Sequence, residues 1–133
     1  MIVVSFVFAG LAAALHVYVF WMESLAWSGR AARRTFGPAT PAEVQATSAL
    51  AFNQGFYNLF LAIITAAGIV VTATSATAVA SAVGLTLLLA GTASMLAAAT
   101  VLFVAFADKR SAAIRQGVFP LIAVATAIIA IIA

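Results

Sequence analysis

Uncharged apolar stretches alternate along the chain with short polar links, and four of the stretches are long enough to cross a bilayer. A helical crossing of the hydrocarbon takes about 20 apolar residues. The first stretch runs from Ile2 to about Trp27, interrupted by His16 and Glu23, and stops at Ser28, Gly29 and the basic Arg30, Arg33 and Arg34. Its start carries no basic residue, unlike a secretory signal, so it is read as a retained crossing. The link that follows ends in Thr40-Pro41-Ala42-Glu43, a helix start in which Thr40 caps, Pro41 suits the first position and Glu43 closes a capping box. A second helix is therefore expected over about 41–72. At 1.5 Å per residue its roughly 30 residues exceed the membrane core, so its first two turns project into water. Thr72 to Thr77 reads as a tight turn, and a third helix is expected over about 78–106, with Ala80, Gly84, Gly91 and Ala98 near one face for close helix approach. Asp108, Lys109, Arg110 and Arg115 form a second charged island. A fourth helix is expected over about 112–133, its apolar part running from Phe119, with Pro120 bending it or marking its effective start.

Composition decides the medium. The 133 residues are 66% apolar and 7% charged, against roughly 45–50% and 25% in soluble domains, which leaves too little polar surface to face water. The chain reads as one all-α integral membrane domain over 1–133, a four-transmembrane-helix antiparallel bundle, multi-pass in the cell membrane with the lipid bilayer as its partner. All six basic residues fall in the first and third links, which the positive-inside rule assigns to the cytoplasm. Both termini are then non-cytoplasmic, and a dual-topology dimer is disfavoured. A net charge of +3 from so few charges gives no reason to expect nucleic acid. With no cysteine, disulfides, thiolate metal sites and thiol nucleophiles are excluded.

Strongly polar side chains within a crossing are costly, and each is a functional candidate by default. They are His16 and Glu23 on the first helix and Asn53, Gln54, Tyr57 and Asn58 on the second. His16 and Glu23, two turns apart, point the same way with about 10 Å of rise between them. At 100° per residue the four on the second helix cover an arc of roughly 140°. Counting inward from Trp27 and from Ala49 puts Glu23 level with Asn53 and Gln54, and His16 level with Asn58 to Leu61. The expectation is a polar cluster between the first two helices, with Glu23 at its mouth and His16 at its floor. The alternatives are interhelical hydrogen bonding alone, a Glu23 carboxylate that snorkels or pairs with Arg115, and a structural hydrogen bond from His16 to Asn58.

A histidine and a carboxylate sharing a low-dielectric pocket can exchange protons near neutral pH, as acid and base or as an ion-coupling site. One histidine and one carboxylate two turns apart make a poor metal site, and no cofactor motif is present. The run His16-Val17-Tyr18, then Trp21-Met22-Glu23 and Trp27, Phe36-Gly37, Asn53-Gln54-Gly55-Phe56-Tyr57-Asn58 with Phe60-Leu61-Ala62, and Gln116-Gly117 with Pro120, resembles the small bacterial and fungal membrane-protein family called domain of unknown function 1304. Val118 and Phe119 stand between Gly117 and Pro120, where the family pattern has one residue. The resemblance covers nearly the whole chain and implies a four-helix membrane protein without an established activity. Three functions follow as expectations. One is a pocket for a small amphiphilic or lipid-like ligand with proton-transfer chemistry. The second is a proton- or cation-coupled transporter working as a homo-oligomer. The third is an accessory subunit docking through the small-residue face of the third helix. Whether the protein is an enzyme is left open by the residues.

Overall fold

In an apolar medium the backbone must satisfy its own amides, and alanine-, leucine- and valine-rich runs do so as helices. The computed structural model describes residues 1–133 and is all-helical, with α1 (Ile2–Phe20), a π-helical turn (Trp21–Leu25), α2 (Arg30–Phe36), α3 (Pro41–Thr74), α4 (Ala78–Ala105), a 3-10 turn (Ala107–Lys109) and α5 (Arg110–Ile132). Four segments are long and apolar enough to cross a membrane: Ile2–Leu25, Pro41–Thr74, Ala78–Ala105 and Ala107–Ile132. The capping box at the start of α3 forms as the sequence predicts: the Thr40 hydroxyl accepts from the Glu43 amide, and Glu43 Oε2 accepts from the Thr40 amide at 2.7 Å.

The first basic link holds an element that the hydrophobic pattern did not signal. Two turns of α2 form over Arg30–Phe36, with Ala32 fully buried. They end at Gly37, whose φ of +103° lies in the left-handed region that only glycine enters without strain. Of the two roles expected for Pro120, the helix start is excluded: α5 runs from Arg110 to Ile132, and Pro120 is buried well inside it. Lacking an N–H, it leaves the Gln116 carbonyl without its helical donor. Membrane helices tolerate this when neighbouring groups compensate.

The helices close into a bundle in which α1 touches α3 and α5, and α4 touches the same two. The side chains at the contacts are small. Ala9, Ala123 and Ala127 surround Leu88, and the Ser5 hydroxyl donates to the Ala123 carbonyl at 3.0 Å, tying α1 to α5. Large apolar side chains such as Val3, Leu50, Val79, Val101 and Ile132 point outward. This distribution suits a lipid exterior, where association depends on close backbone approach rather than on hiding leucine from water.

The closest approach is between α3 and α4. A Cβ on Gly68 would sit 2.7 Å from Leu88 Cα and 2.8 Å from the Gly84 carbonyl oxygen. One on Gly91 would collide with Thr65 Oγ1, and one on Gly84 with the Thr72 hydroxyl. Gly84 and Gly91 thus serve contact within the chain, while Ala98 from the same expected stripe is exposed. The part of the small-residue face at Gly84 and Gly91 is covered by α3.

Gly68→Ala should therefore lower stability by about 1–3 kcal/mol, because backbone rather than a flexible side chain obstructs the added methyl. Gly10→Ala, whose Cβ would meet nothing within 4 Å, should be neutral or slightly stabilising. Thermal unfolding of the two variants in detergent checks the contrast, and equal melting temperatures would contradict the packing.

Candidate functional site

At its C-terminal end α1 widens. The Ala26 amide donates to the Trp21 carbonyl at 2.9 Å, closing a π-helical turn over Trp21–Leu25. Such turns re-aim side chains and recur at functional sites. Here Met22 and Glu23 are carried into the protein, leaving the Glu23 residue only 9% exposed. The opposing helix makes room at Gly55, where a Cβ would collide with the Ser24 hydroxyl and lie 3.1 Å from Glu23 Cβ. Ser24 Oγ donates to the Phe52 carbonyl at 2.7 Å and pins the turn to α3.

Glu23 meets Asn58. Asn58 Nδ2 donates to Glu23 Oε2 at 2.8 Å and to the Gln54 carbonyl at 3.2 Å. The sequence register placed Glu23 beside Asn53 and Gln54, so the observed register is about one turn further along α3. Asn58 belongs to the buried stripe that includes Ala51, Gly55, Ala62 and Thr65. Asn53 lies five residues earlier, about 140° round the helix, and is exposed, as is Gln54. Tyr57 is 57% exposed. These three do not join Glu23, and the polar arc that looked like one face is divided between the interior and the outer surface.

His16 is fully buried, with Nδ1 2.9 Å from the Ala12 carbonyl oxygen. Donation from Nδ1 leaves Nε2 as an acceptor, and Nε2 is sealed without a partner. Neither of its ring nitrogens bonds Asn58. With two turns separating them, His16 and Glu23 do not form a common ligand set for a metal. Arg115 is not a partner of Glu23 either: its guanidinium bonds the Ser111 hydroxyl and carbonyl within its own helix.

Beside Glu23 an open cavity of about 740 Å³ lies between the π-helical turn, α2 and the first turns of α3. Its walls include Glu23, Arg33, Gln45 and Ser48 with the apolar Trp27 and Phe52. His16 does not line it, so Glu23 borders the cavity while the expected floor lies elsewhere. Arg33 was legible in the sequence only as a charge that orients the chain. The structure holds its guanidinium 4.4 Å over the Trp27 ring, with Nη2 donating to the Trp27 carbonyl at 3.1 Å and Nη1 to that of Gly37 at 3.4 Å. Trp27 is anchored in turn: its indole N–H donates to Thr47 Oγ1 at 3.1 Å, and its ring lies 5.3 Å from Phe36. Chemically, the site offers a carboxylate held on one side by an amide, a fixed guanidinium, neutral hydrogen-bonding groups and aromatic surface.

No curated protein and no solved structure matches the chain. The family model described as "Protein of unknown function (DUF1304)" matches residues 10–128, from the middle of α1 nearly to the end of α5. That span takes in the π-helical turn, the Glu23–Asn58 contact and every wall of the cavity, and the chain belongs to the DUF1304 family.

Proposed function

We propose that this protein spans the cell membrane four times and binds a small amphiphilic or lipid-like molecule in the cavity beside Glu23. The observation that carries this reading is the Glu23 carboxylate, which is nearly buried, held by Asn58 through one oxygen only and placed in the wall of an open cavity. Mixed walls favour an amphiphile. Glu23, Arg33, Gln45 and Ser48 meet a polar group, while Trp27, Phe52 and Leu25 receive an apolar portion. Asn58 orients the carboxylate, which can accept a proton or hold a cation. Asn53, Gln54 and Tyr57, on the outer flank of α3, would meet a ligand on its approach from the lipid.

Successive spans run antiparallel in this reading, with the two basic links in the cytoplasm and both termini outside. The stacked, exposed rings of Tyr18 and Trp21, 5.7 Å apart, suit the headgroup level and support a position for the neighbouring cavity at the cytoplasmic interface. A transporter would need access to Glu23 from the opposite side as well, and the interior beyond it holds fully buried His16, Thr65 and Met95. Ligand binding at the interface needs no such path.

Orientation is checked on this cysteine-free chain with Ala76→Cys, in the link between α3 and α4, and Ser111→Cys, at the start of α5. A membrane-impermeant maleimide should label the first in intact cells and the second only after permeabilisation; the reverse pattern would overturn the assignment. Binding is read from Trp27, which becomes the sole tryptophan in a Trp21→Phe background. Brominated lipids from a host-membrane extract, titrated in dodecyl maltoside, should quench it saturably. Ser48→Phe, which fills the cavity, should leave only a linear, unsaturable decline. Linear quenching in both proteins would sink the reading.

A further inference from the structure

We propose that the molecule held in this cavity is a zwitterion, with an ammonium group against Glu23 and an anionic oxygen against Arg33. The inference rests on the amphiphile-binding reading and goes beyond it by specifying the ligand's charges. The lining holds a carboxylate and a guanidinium, Glu23 and Arg33, that do not pair with each other. The one ion pair in the chain is Lys109 with Asp108 at 3.2 Å, so no cation lies within ion-pair reach of Glu23 and no carboxylate within reach of Arg33. Glu23 is nearly buried and Arg33 half-buried, and both line one space, so a molecule bound there meets both groups.

The free valences point to the same partner. Glu23 Oε2 is taken by Asn58, whereas Oε1 has no hydrogen bond within the chain and is not sealed from the cavity. A guanidinium has five N–H donors. Arg33 uses one on each of Nη1 and Nη2 for main-chain carbonyls, and its Nε is sealed, which leaves further Nη protons for an anion. Stacking on Trp27 and the two carbonyl bonds engage that group where it does not pair with Glu23. A cationic amphiphile would satisfy Glu23 and be repelled by Arg33, an anionic one would do the reverse, and an uncharged one would compensate neither. A molecule bearing both signs compensates both, with Gln45 and Ser48 available for its neutral oxygens. This chemistry exists in a phospholipid headgroup and in a small soluble aminoalkyl phosphate.

The test uses the full chain carrying Trp21→Phe in dodecyl maltoside, following Trp27 fluorescence. Lysophosphatidylethanolamine is compared with lysophosphatidylglycerol, a monoacylglycerol and an alkylamine of the same chain length, and with free phosphoethanolamine. Lysophosphatidylethanolamine should saturate the signal at a concentration about tenfold below the other amphiphiles, the size of one charge-assisted contact. Glu23→Gln and Arg33→Gln should each erase that preference, and Arg33→Lys, which keeps the charge if the glutamine variant fails to fold, should retain part of it. If free phosphoethanolamine saturates the signal equally well, the zwitterion assignment stands with a soluble source. Equal saturation by all four amphiphiles would overturn the assignment and leave amphiphile binding intact. Saturation by none would remove both.

Discussion

Helices surrounded by lipid gain little by burying leucine against one another, because the acyl chains they leave are as apolar as the neighbour they meet. What remains is contact: many weak dispersion interactions that count only when two backbones come close. The arrangement of this chain follows from that constraint. Glycine stands at Gly68, Gly84 and Gly91, where α3 and α4 touch, alanine fills the contacts of α1 with α5, and large side chains such as Val3, Leu50, Val79 and Val101 are turned outward.

The same constraint shapes the candidate site. Gly55 lets the end of α1 approach α3 so closely that Ser24 reaches the Phe52 carbonyl and Glu23 reaches Asn58. A side chain at position 55 would hold the helices apart and strand the carboxylate. The π-helical turn completes the device by turning Glu23 inward at the place where the helix ends. The outer wall depends on separate contacts: α2 docks through Arg33 over Trp27 and through the rings of Trp27 and Phe36. The cavity thus lies between a part of the fold held by backbone proximity and a part held by aromatic and cationic contacts.

Much of the architecture was legible before folding was considered. The four apolar stretches, the charged islands and the Thr40–Glu43 cap are local patterns, and local physics decides them. The site was legible only in its anchor residues. Glu23 and Asn58 meet, but the expected cluster also included Asn53, Gln54 and Tyr57, which face outward, and His16, which does not line the cavity. Counting residues inward from assumed membrane boundaries gave the register of α1 against α3 an error of about one turn. A slide of one turn leaves a helix's inward face almost unchanged at 100° per residue; what no count along the chain supplies is the rotation of α3 about its axis, which turns Asn58 inward and Asn53, about 140° away, outward. Arg33 went unrecognised as a cavity residue because a basic residue in a link carries an orientation signal whatever it contacts.

By itself, the sequence determined the apolar medium, the four stretches long enough to cross a membrane and the helix start at Thr40, since each follows from the hydropathy or hydrogen-bonding chemistry of neighbouring residues. Only the tertiary structure decided which polar groups share a space. That choice depends on how far one helix slides and turns against another. Glycine contacts at Gly55, Gly68 and Gly91 set those displacements, and they join residues far apart in the chain.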